Sequence, residues 1–319
     1  MATFGTTPLG AFGKRLGQAL PVILLATFLA FGLLKLVPGD IAVTLAGDNA
    51  TDQRITEIRQ LYGLDKPFLI QYGEWLWRVT QGDLSRSLLT GEQVRVAIAR
   101  CLPPTLLIVI LATTLSVLIG VPLGMLAASR RGRWIDSFVM TLGSIGIAIP
   151  NFWLAMLLVA MLAMANGWFP VTGSVPFLES PWQAIHHAAL PALALAAAGI
   201  AEISRQLRGT MIELLASQQV RTLRAKGLSP MAILWKHGLR NVGIDLLTVI
   251  TLLANRMLAA TVVIEAVFAI PGMGSLIINA ALQRDFPVVQ GVILVMVVLV
   301  LLINLSADML YGRIDPRVR

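Results

Sequence analysis

TLLIVILATTLSVLIGVPLGMLAA, residues 105–128, is a 24-residue stretch without a charged side chain. Wound as an α-helix at about 1.5 Å per residue it reaches ~36 Å, enough to cross the ~30 Å hydrocarbon layer of a bilayer with some tilt. Five more apolar runs share the chain: Leu16–Leu36, Ser137–Ala165, Ala188–Ile203, Ile244–Phe268 and Val288–Met309. The composition agrees, because 56% of the 319 residues are hydrophobic and 13% charged, against roughly 25% charged in soluble domains. The expected fold class is an all-α polytopic membrane protein with six transmembrane helices, which places both termini on one side.

Two runs depart from a simple span. The fourth, 188–203, reaches only ~24 Å and is expected to continue as helix beyond the membrane through the amphipathic stretch Ser204 to Ser217. The third contains Pro150, where a break or kink is expected, with the freed carbonyls satisfied by protein or water.

Orientation follows from the basic residues beside the spans. Fifteen of the twenty-five Lys and Arg fall on one face: residues 14–15, 130–133, 205–240 and 313–319. On the other face, residues 166–187 carry none and residues 269–287 only Arg284. The positive-inside bias makes the basic face cytoplasmic, so N-in and C-in is expected. The loop from Pro38 to Leu102 exceeds ~60 residues, a length at which translocation is largely indifferent to charge, and is assigned outside. Leu16–Leu36 is longer than a typical signal core of about 7–15 residues and no A-x-A-like site follows it, so it is expected to remain as the first span, with Lys35 snorkelling at its end. The domain plan is therefore a cytoplasmic N-terminus at 1–15, a first transmembrane helix at 16–36, a large outer loop at 37–102, a five-helix core at 103–310 with a cytoplasmic loop at 205–241, and a cytoplasmic C-terminus at 311–319.

The net charge of +8 is thus topological, and no basic stripe with interleaved aromatics points to nucleic acid. The single cysteine, Cys101, forms no internal disulfide. No metal-ligand spacing is present; His186 and His187 are neighbours that a helix turns about 100° apart. The phosphate cradle G-x-x-x-x-G-K-[ST] is missing, as is any nucleophile–base constellation, so neither ATP hydrolysis nor a cofactor is expected in this chain.

The stretch QQVRTLRAKGLSPMAILWKHGLRNV, residues 218–242, is too structured for a passive linker. Val220 to Lys226 can form about two helical turns, and Gly227 supplies the left-handed residue that ends them. Ser229 suits a helix N-cap and Pro230 the first helical position, so a second helix should run from Met231. The product is a helix, a tight turn and another helix, basic and without acid. It suits a groove on another protein or an anionic lipid surface.

This loop resembles the cytoplasmic EAA loop of ATP-binding-cassette importer permeases, in the version of the dipeptide, oligopeptide and nickel permeases. Arg221, Ala225, Lys226, Gly227, Leu228, His237, Leu239, Arg240 and Asn241 match; Leu223 stands where a small Ala is usual. Further resemblance lies in Leu36-Val37-Pro38-Gly39-Asp40, Gly82-Asp83-Leu84-Ser85-Arg86-Ser87, Ile149-Pro150-Asn151-Phe152-Trp153, Glu265-Ala266-Val267-Phe268, Pro271-Gly272-Met273-Gly274, Arg284-Asp285-Phe286-Pro287 and Asp315-Pro316-Arg317. The resemblance implies a type I importer permease fold in the bacterial inner membrane, with the matched residues as the ATPase-coupling loop. It also implies two ATPase subunits holding ATP and magnesium, a second homologous permease, and a periplasmic substrate-binding protein that meets the outer loop.

Polar residues at membrane depth are the remaining signal. Arg256, with Asn255 beside it, falls near the middle of the fifth run, where an Arg costs on the order of 2.5–3.5 kcal/mol and needs water or a partner. Two readings stand: a translocation-pathway cation for an anionic group of the cargo, with Pro150 and Asn151 on the same path, or a structural pair with an acid of a neighbouring helix or of a partner permease. Glu265, Asp308 and Asn304 read as pairing or interhelical hydrogen-bonding groups. In the outer loop, Tyr72, Trp75 and Trp77 read as interfacial aromatics. The alternative function is a secondary, ion-coupled carrier, which predicts internal repeats and buried coupling carboxylates. A membrane-embedded enzyme or insertase would need a catalytic cluster or polar groove.

Overall fold

The computed structural model describes residues 8–36, 41–46, 51–61 and 63–314. Within them the chain is helical: α1 (Pro8–Leu36), α2 (Ile41–Ala46), α3 (Asp52–Leu61), α4 (Phe68–Thr80), α5 (Val94–Ser129), α6 (Trp134–Ala148), α7 (Asn151–Leu158, continued by a π-wound turn), α8 (Pro181–Leu215), α9 (Gln218–Ala225), α10 (Pro230–Ala232), α11 (Leu239–Asn241), α12 (Gly243–Val267), α13 (Met273–Leu282) and α14 (Phe286–Ile314). The six apolar runs lie on helix except at residues 149–150 and at the last residues of the third and fifth runs. Four helices, α5, α8, α12 and α14, are long and apolar enough to cross a membrane by themselves, and the bent pair α6–α7 counts as a fifth. On α1 the apolar stretch is the shorter Ala19–Leu33. The Pro38–Asp40 and Asp315–Arg317 motif residues, and the Lys35 side chain, lie outside the described residues.

At Pro150 the chain does more than kink. Helices α6 and α7 meet at 97°, because Ile149 (φ −80°, ψ 122°) and Pro150 (φ −61°, ψ 136°) both leave the helical region. The proline ring disfavours a helical residue before it and offers no N–H to the preceding turn. The third run is therefore two helices joined at a corner.

The fourth run behaves as its length demands. Helix α8 has 35 residues, ~52 Å of helix, so it extends well past a bilayer's apolar layer at about 30 Å.

The chain divides into two compact units, residues 1–102 with 275–301, and 103–274 with 302–319. In the second, α8 is the central helix: 56% of its apolar window is buried, against 33% for α5 and 28% for α12. The reason is side-chain size. Ala192, Ala194, Ala196 and Ala201 are buried on α8, and small residues let α5, α6 and α7 approach its backbone closely. Gly124 of α5 marks one such close approach; a Cβ there would meet the Ser204 carbonyl oxygen at 2.7 Å. Beyond it, Thr105 of α5 donates to Glu265 of α12 at 2.5 Å and accepts from the Met273 N–H at 2.8 Å, all buried.

In the first unit, α4 packs on α1 through aromatics. Phe28 and Phe31 meet Phe68 and Tyr72 edge-on at centroid distances of 5.3–5.7 Å. The Tyr72 hydroxyl bonds Thr27 Oγ1 at 3.0 Å and donates to the Leu24 carbonyl at 3.1 Å. The interfacial reading therefore fails for Trp75, which is buried, and for the Tyr72 ring, which is packed into this cluster; Trp77 alone of the three is broadly exposed. Two motifs distant in sequence also meet here: Ser87 Oγ donates to Asp285 Oδ2, and the Leu88 N–H donates to Asp285 Oδ1 at 3.1 Å.

Candidate coupling loop and membrane-depth polar groups

Between α8 and α12 the chain forms the element expected from its turn chemistry. Ser217 caps α9, its hydroxyl accepting from the Val220 N–H at 3.4 Å. Gly227 follows with φ +77°, a left-handed conformation that costs an L-residue about 1–2 kcal/mol and glycine nothing. The Gly227 N–H donates to the Arg224 carbonyl at 2.9 Å and that of Leu228 to Leu223 at 3.2 Å, so the turn consumes the carbonyls that α9 leaves open. Ser229 then caps α10, accepting from the Ala232 N–H at 3.3 Å, with Pro230 in the first helical position.

The second limb is not a plain α-helix. Ile233–Gly238 is π-wound, the extra residue per turn placing Ile233, Leu234 and Gly238 inward while Trp235 and Lys236 stay out. A Cβ on Gly238 would sit 3.0 Å from Met211 Sδ of α8, so this limb lies directly on the helix that precedes the loop. Val220 and Val242 are buried as well. The loop is thus a packed extension of the helical core.

The named residues fall in two groups. Arg221, Ala225, Lys226 and Gly227 are exposed around the turn, with Leu228 half-buried. Arg240 and Asn241 are exposed on the other limb, and His237 and Leu239 are half-buried there. Asn241 Nδ2 donates to the His237 carbonyl at 2.9 Å, closing that limb on itself. Among the described residues no acid pairs with this basic surface.

One contact anchoring the stem escaped the sequence reading. Arg208 of α8 grips Asp136 of α6 through Nε–Oδ1 at 2.5 Å and Nη2–Oδ2 at 2.7 Å, and the Gly132 N–H adds a third bond at 2.9 Å. Such bidentate, charge-assisted pairing fixes orientation as well as distance. The available signal was an acid in the first turn of α6 and an Arg on the extension of α8, but their pairing spans 72 residues.

At membrane depth, Arg256 of α12 makes an ion pair with Glu202 of α8, the Arg side chain 59% exposed and the Glu 29%. Its neighbour Asn255 donates from Nδ2 to Asn304 Oδ1 of α14 at 2.9 Å, while Asn255 Oδ1 is buried without a partner among the described residues. Thr248 and Tyr311 join the same two helices at 2.7 Å. Pro150 and Asn151 open α7, which packs on both α8 and α12. His186 and His187 bind the carbonyls of Trp168 and Gln183 instead of sharing a ligand, and no metal-holding cluster occurs among the described residues.

Comparisons with known proteins agree with this architecture. The model of the binding-protein-dependent transport system inner membrane component matches residues 120–319, and that of the family's N-terminal region matches residues 11–108. A putative peptide transport system permease protein of Brucella abortus is 42% identical over 306 residues, covering 96% of this chain and 98% of the relative. The oligopeptide transport system permease protein AppB of Bacillus subtilis is 38% identical over 310 residues, 96% of this chain and 98% of the relative. The di/tripeptide transport system permease protein DppB of Pseudomonas aeruginosa is 36% identical over 332 residues, with 98% and 99% covered. A structure of the MetNI methionine ABC transporter in an inward-facing conformation superposes with a TM-score of 0.58 at 21% identity, over 69% of this chain and 97% of that one, a likeness of fold. The chain therefore belongs to the binding-protein-dependent transport system inner membrane component family, and is a multi-pass inner-membrane permease subunit of an ABC importer.

Proposed function

We propose that this chain forms one half of the translocation pore of an ATP-driven importer for short peptides, coupled to its motor through the 218–242 loop. The observation that carries the coupling is the Gly227 turn with its two capped limbs, basic, exposed at the tip and packed at the base between α8 and α12. A partner ATPase closing on ATP and magnesium moves Arg221, Ala225, Lys226, Gly227 and Leu228, and α8 and α12 carry that displacement to membrane depth. His237, Leu239, Arg240 and Asn241 hold the second limb against the moving tip. The peptide cargo is inferred from the relatives, which are peptide, oligopeptide and di/tripeptide transport permeases.

The assembly we infer contains two ATPase subunits, a second and different permease, and a periplasmic binding protein, all within membrane lipid. Bond-breaking chemistry belongs to the ATPases, and this chain supplies no catalytic residue. Along the pathway, Arg256 and Asn255 are the residues on which the cargo's anionic groups would act, with Pro150 and Asn151 at the corner beside them. The Glu202 pair supports a structural share in the role of Arg256.

The test is to tag the chain, extract it gently from its native membrane and identify what co-purifies, beside a Gly227→Asp version. Recovery of an ATPase that the Gly227 change releases supports the coupling loop. Recovery of the chain alone, active in uptake under an ion gradient, overturns the reading in favour of a secondary carrier.

A further inference from the structure

The first unit holds a cavity of about 360 Å³ to which the coupling reading gives no role. It is walled by α1, α4, the turn at residues 83–88 and the start of α14, and its volume is in the range that small-ligand sites occupy.

Two polar atoms in its lining residues are buried without a partner among the described residues, Trp75 Nε1 and Ser85 Oγ. Trp75 is 3% exposed, and a buried indole N–H ordinarily has an acceptor. Ser85 has φ +71°, an uncommon conformation for a residue with a side chain. Its backbone is pinned there on both sides: the Ser85 N–H donates to Asp83 Oδ1 at 2.8 Å, and the Val94 N–H donates to the Ser85 carbonyl at 3.1 Å. Asp285 clamps the following residues, Ser87 and Leu88. The turn thus holds a strained serine in the cavity lining, an arrangement commonly found where a site is built.

Charge of both signs lines the same cavity. Arg78 and Arg86 contribute guanidinium groups; Arg86 commits one N–H to the Gly91 carbonyl at 3.4 Å and keeps the others. Glu74 and Asp83 contribute carboxylates, each with one contact, to Lys66 Nζ at 2.5 Å and to the Ser85 N–H, and each with acceptor capacity left. Phe31 and Phe286 add apolar surface. A purely anionic ligand would leave the acids opposed, and a purely apolar one would leave the indole and hydroxyl orphaned.

We propose that this cavity binds a small zwitterion with an apolar body. Its anionic oxygens accept from Arg78, Arg86, Trp75 Nε1 and Ser85 Oγ, its ammonium pairs with Glu74 or Asp83, and its apolar part lies against Phe31 and Phe286. Two sources offer this chemistry, a short peptide with free termini and the phosphate–ammonium headgroup of phosphatidylethanolamine. The proposal stands on the cavity and not on the peptide reading of the pore.

The experiment uses the whole importer complex in nanodiscs of phosphatidylglycerol alone. One arm titrates the dipeptide Ala-benzoylphenylalanine, photo-crosslinks it and maps the adduct by mass spectrometry, with N-acetyl-Ala-Phe-amide as the blocked competitor. The other adds phosphatidylethanolamine to the nanodiscs and counts lipid retained in native mass spectra. Both are repeated with Arg78→Gln/Arg86→Gln, exposed rim positions whose replacement is expected to leave assembly and Tm unchanged, and with Trp75→Phe. Saturable dipeptide crosslinking between residues 74 and 88, or retained phosphatidylethanolamine, weakened about tenfold or more by the arginine pair, supports the site. The peptide arm alone identifies a peptide, and the lipid arm alone a headgroup. Binding in neither arm, binding indifferent to the arginine pair and to Trp75→Phe, or equal competition by the blocked dipeptide overturns it.

Discussion

Replacing Arg208 by Ala removes two of the three hydrogen bonds that the Asp136 carboxylate receives, leaving only the Gly132 N–H at 2.9 Å. The Asp136 side chain is 5% exposed and that of Arg208 28%, so the two partners fare differently when abandoned. A buried carboxylate without its cation costs about 3–5 kcal/mol. The reverse change, Asp136→Ala, leaves a guanidinium that already reaches the surface and can turn outward, and is expected to cost about 1–3 kcal/mol. With both removed the penalty of the stranded carboxylate disappears, so the double variant should recover about 2 kcal/mol of the summed single costs. The assay is a double-mutant cycle on the purified chain in detergent, read by reversible unfolding. Additive costs within about 0.5 kcal/mol, or Asp136→Ala costing more than Arg208→Ala, would refute the reasoning that burial asymmetry governs this clasp.

Three further outcomes are expected. Gly124→Leu drives a side chain into the Ser204 backbone, which cannot yield as a flexible side chain would, and should cost about 3 kcal/mol or more; a melting temperature unchanged in detergent would contradict the close α5–α8 approach. Asp285→Ala frees Ser87 Oγ and the Leu88 N–H, at about 2–3 kcal/mol, and amide exchange should rise across residues 83–93 while that of α8 stays unchanged. Arg256→Glu sets a carboxylate beside Glu202 and should lower uptake by about tenfold, with the Glu202→Arg exchange restoring most of it if the pair is structural and little of it if Arg256 must present its charge to cargo.

Much of this protein is written in one dimension. Apolar runs longer than a bilayer is thick must be helical because lipid offers no partner to a bare peptide group, so helices appear wherever those runs lie. Turn chemistry is equally local: Gly227 ends α9 and Ser229 with Pro230 starts α10 because a missing Cβ, a short hydroxyl and a missing N–H act on their nearest neighbours. Tertiary structure decided what distance along the chain conceals. That Pro150 turns a corner of 97° instead of bending a helix depends on the two extended residues there and on the helices α7 packs against. The π-winding at Ile233–Gly238 places Gly238 directly against Met211. Aromatic side chains suit both membrane edges and cores, and only the position of α1 against α4 assigns Tyr72 and Trp75 to the latter. The partners of Arg208, Arg256 and Asp285 lie 54 to 198 residues away. A charge's cost is set by whether something compensates it in space, and that is fixed only when the helices pack.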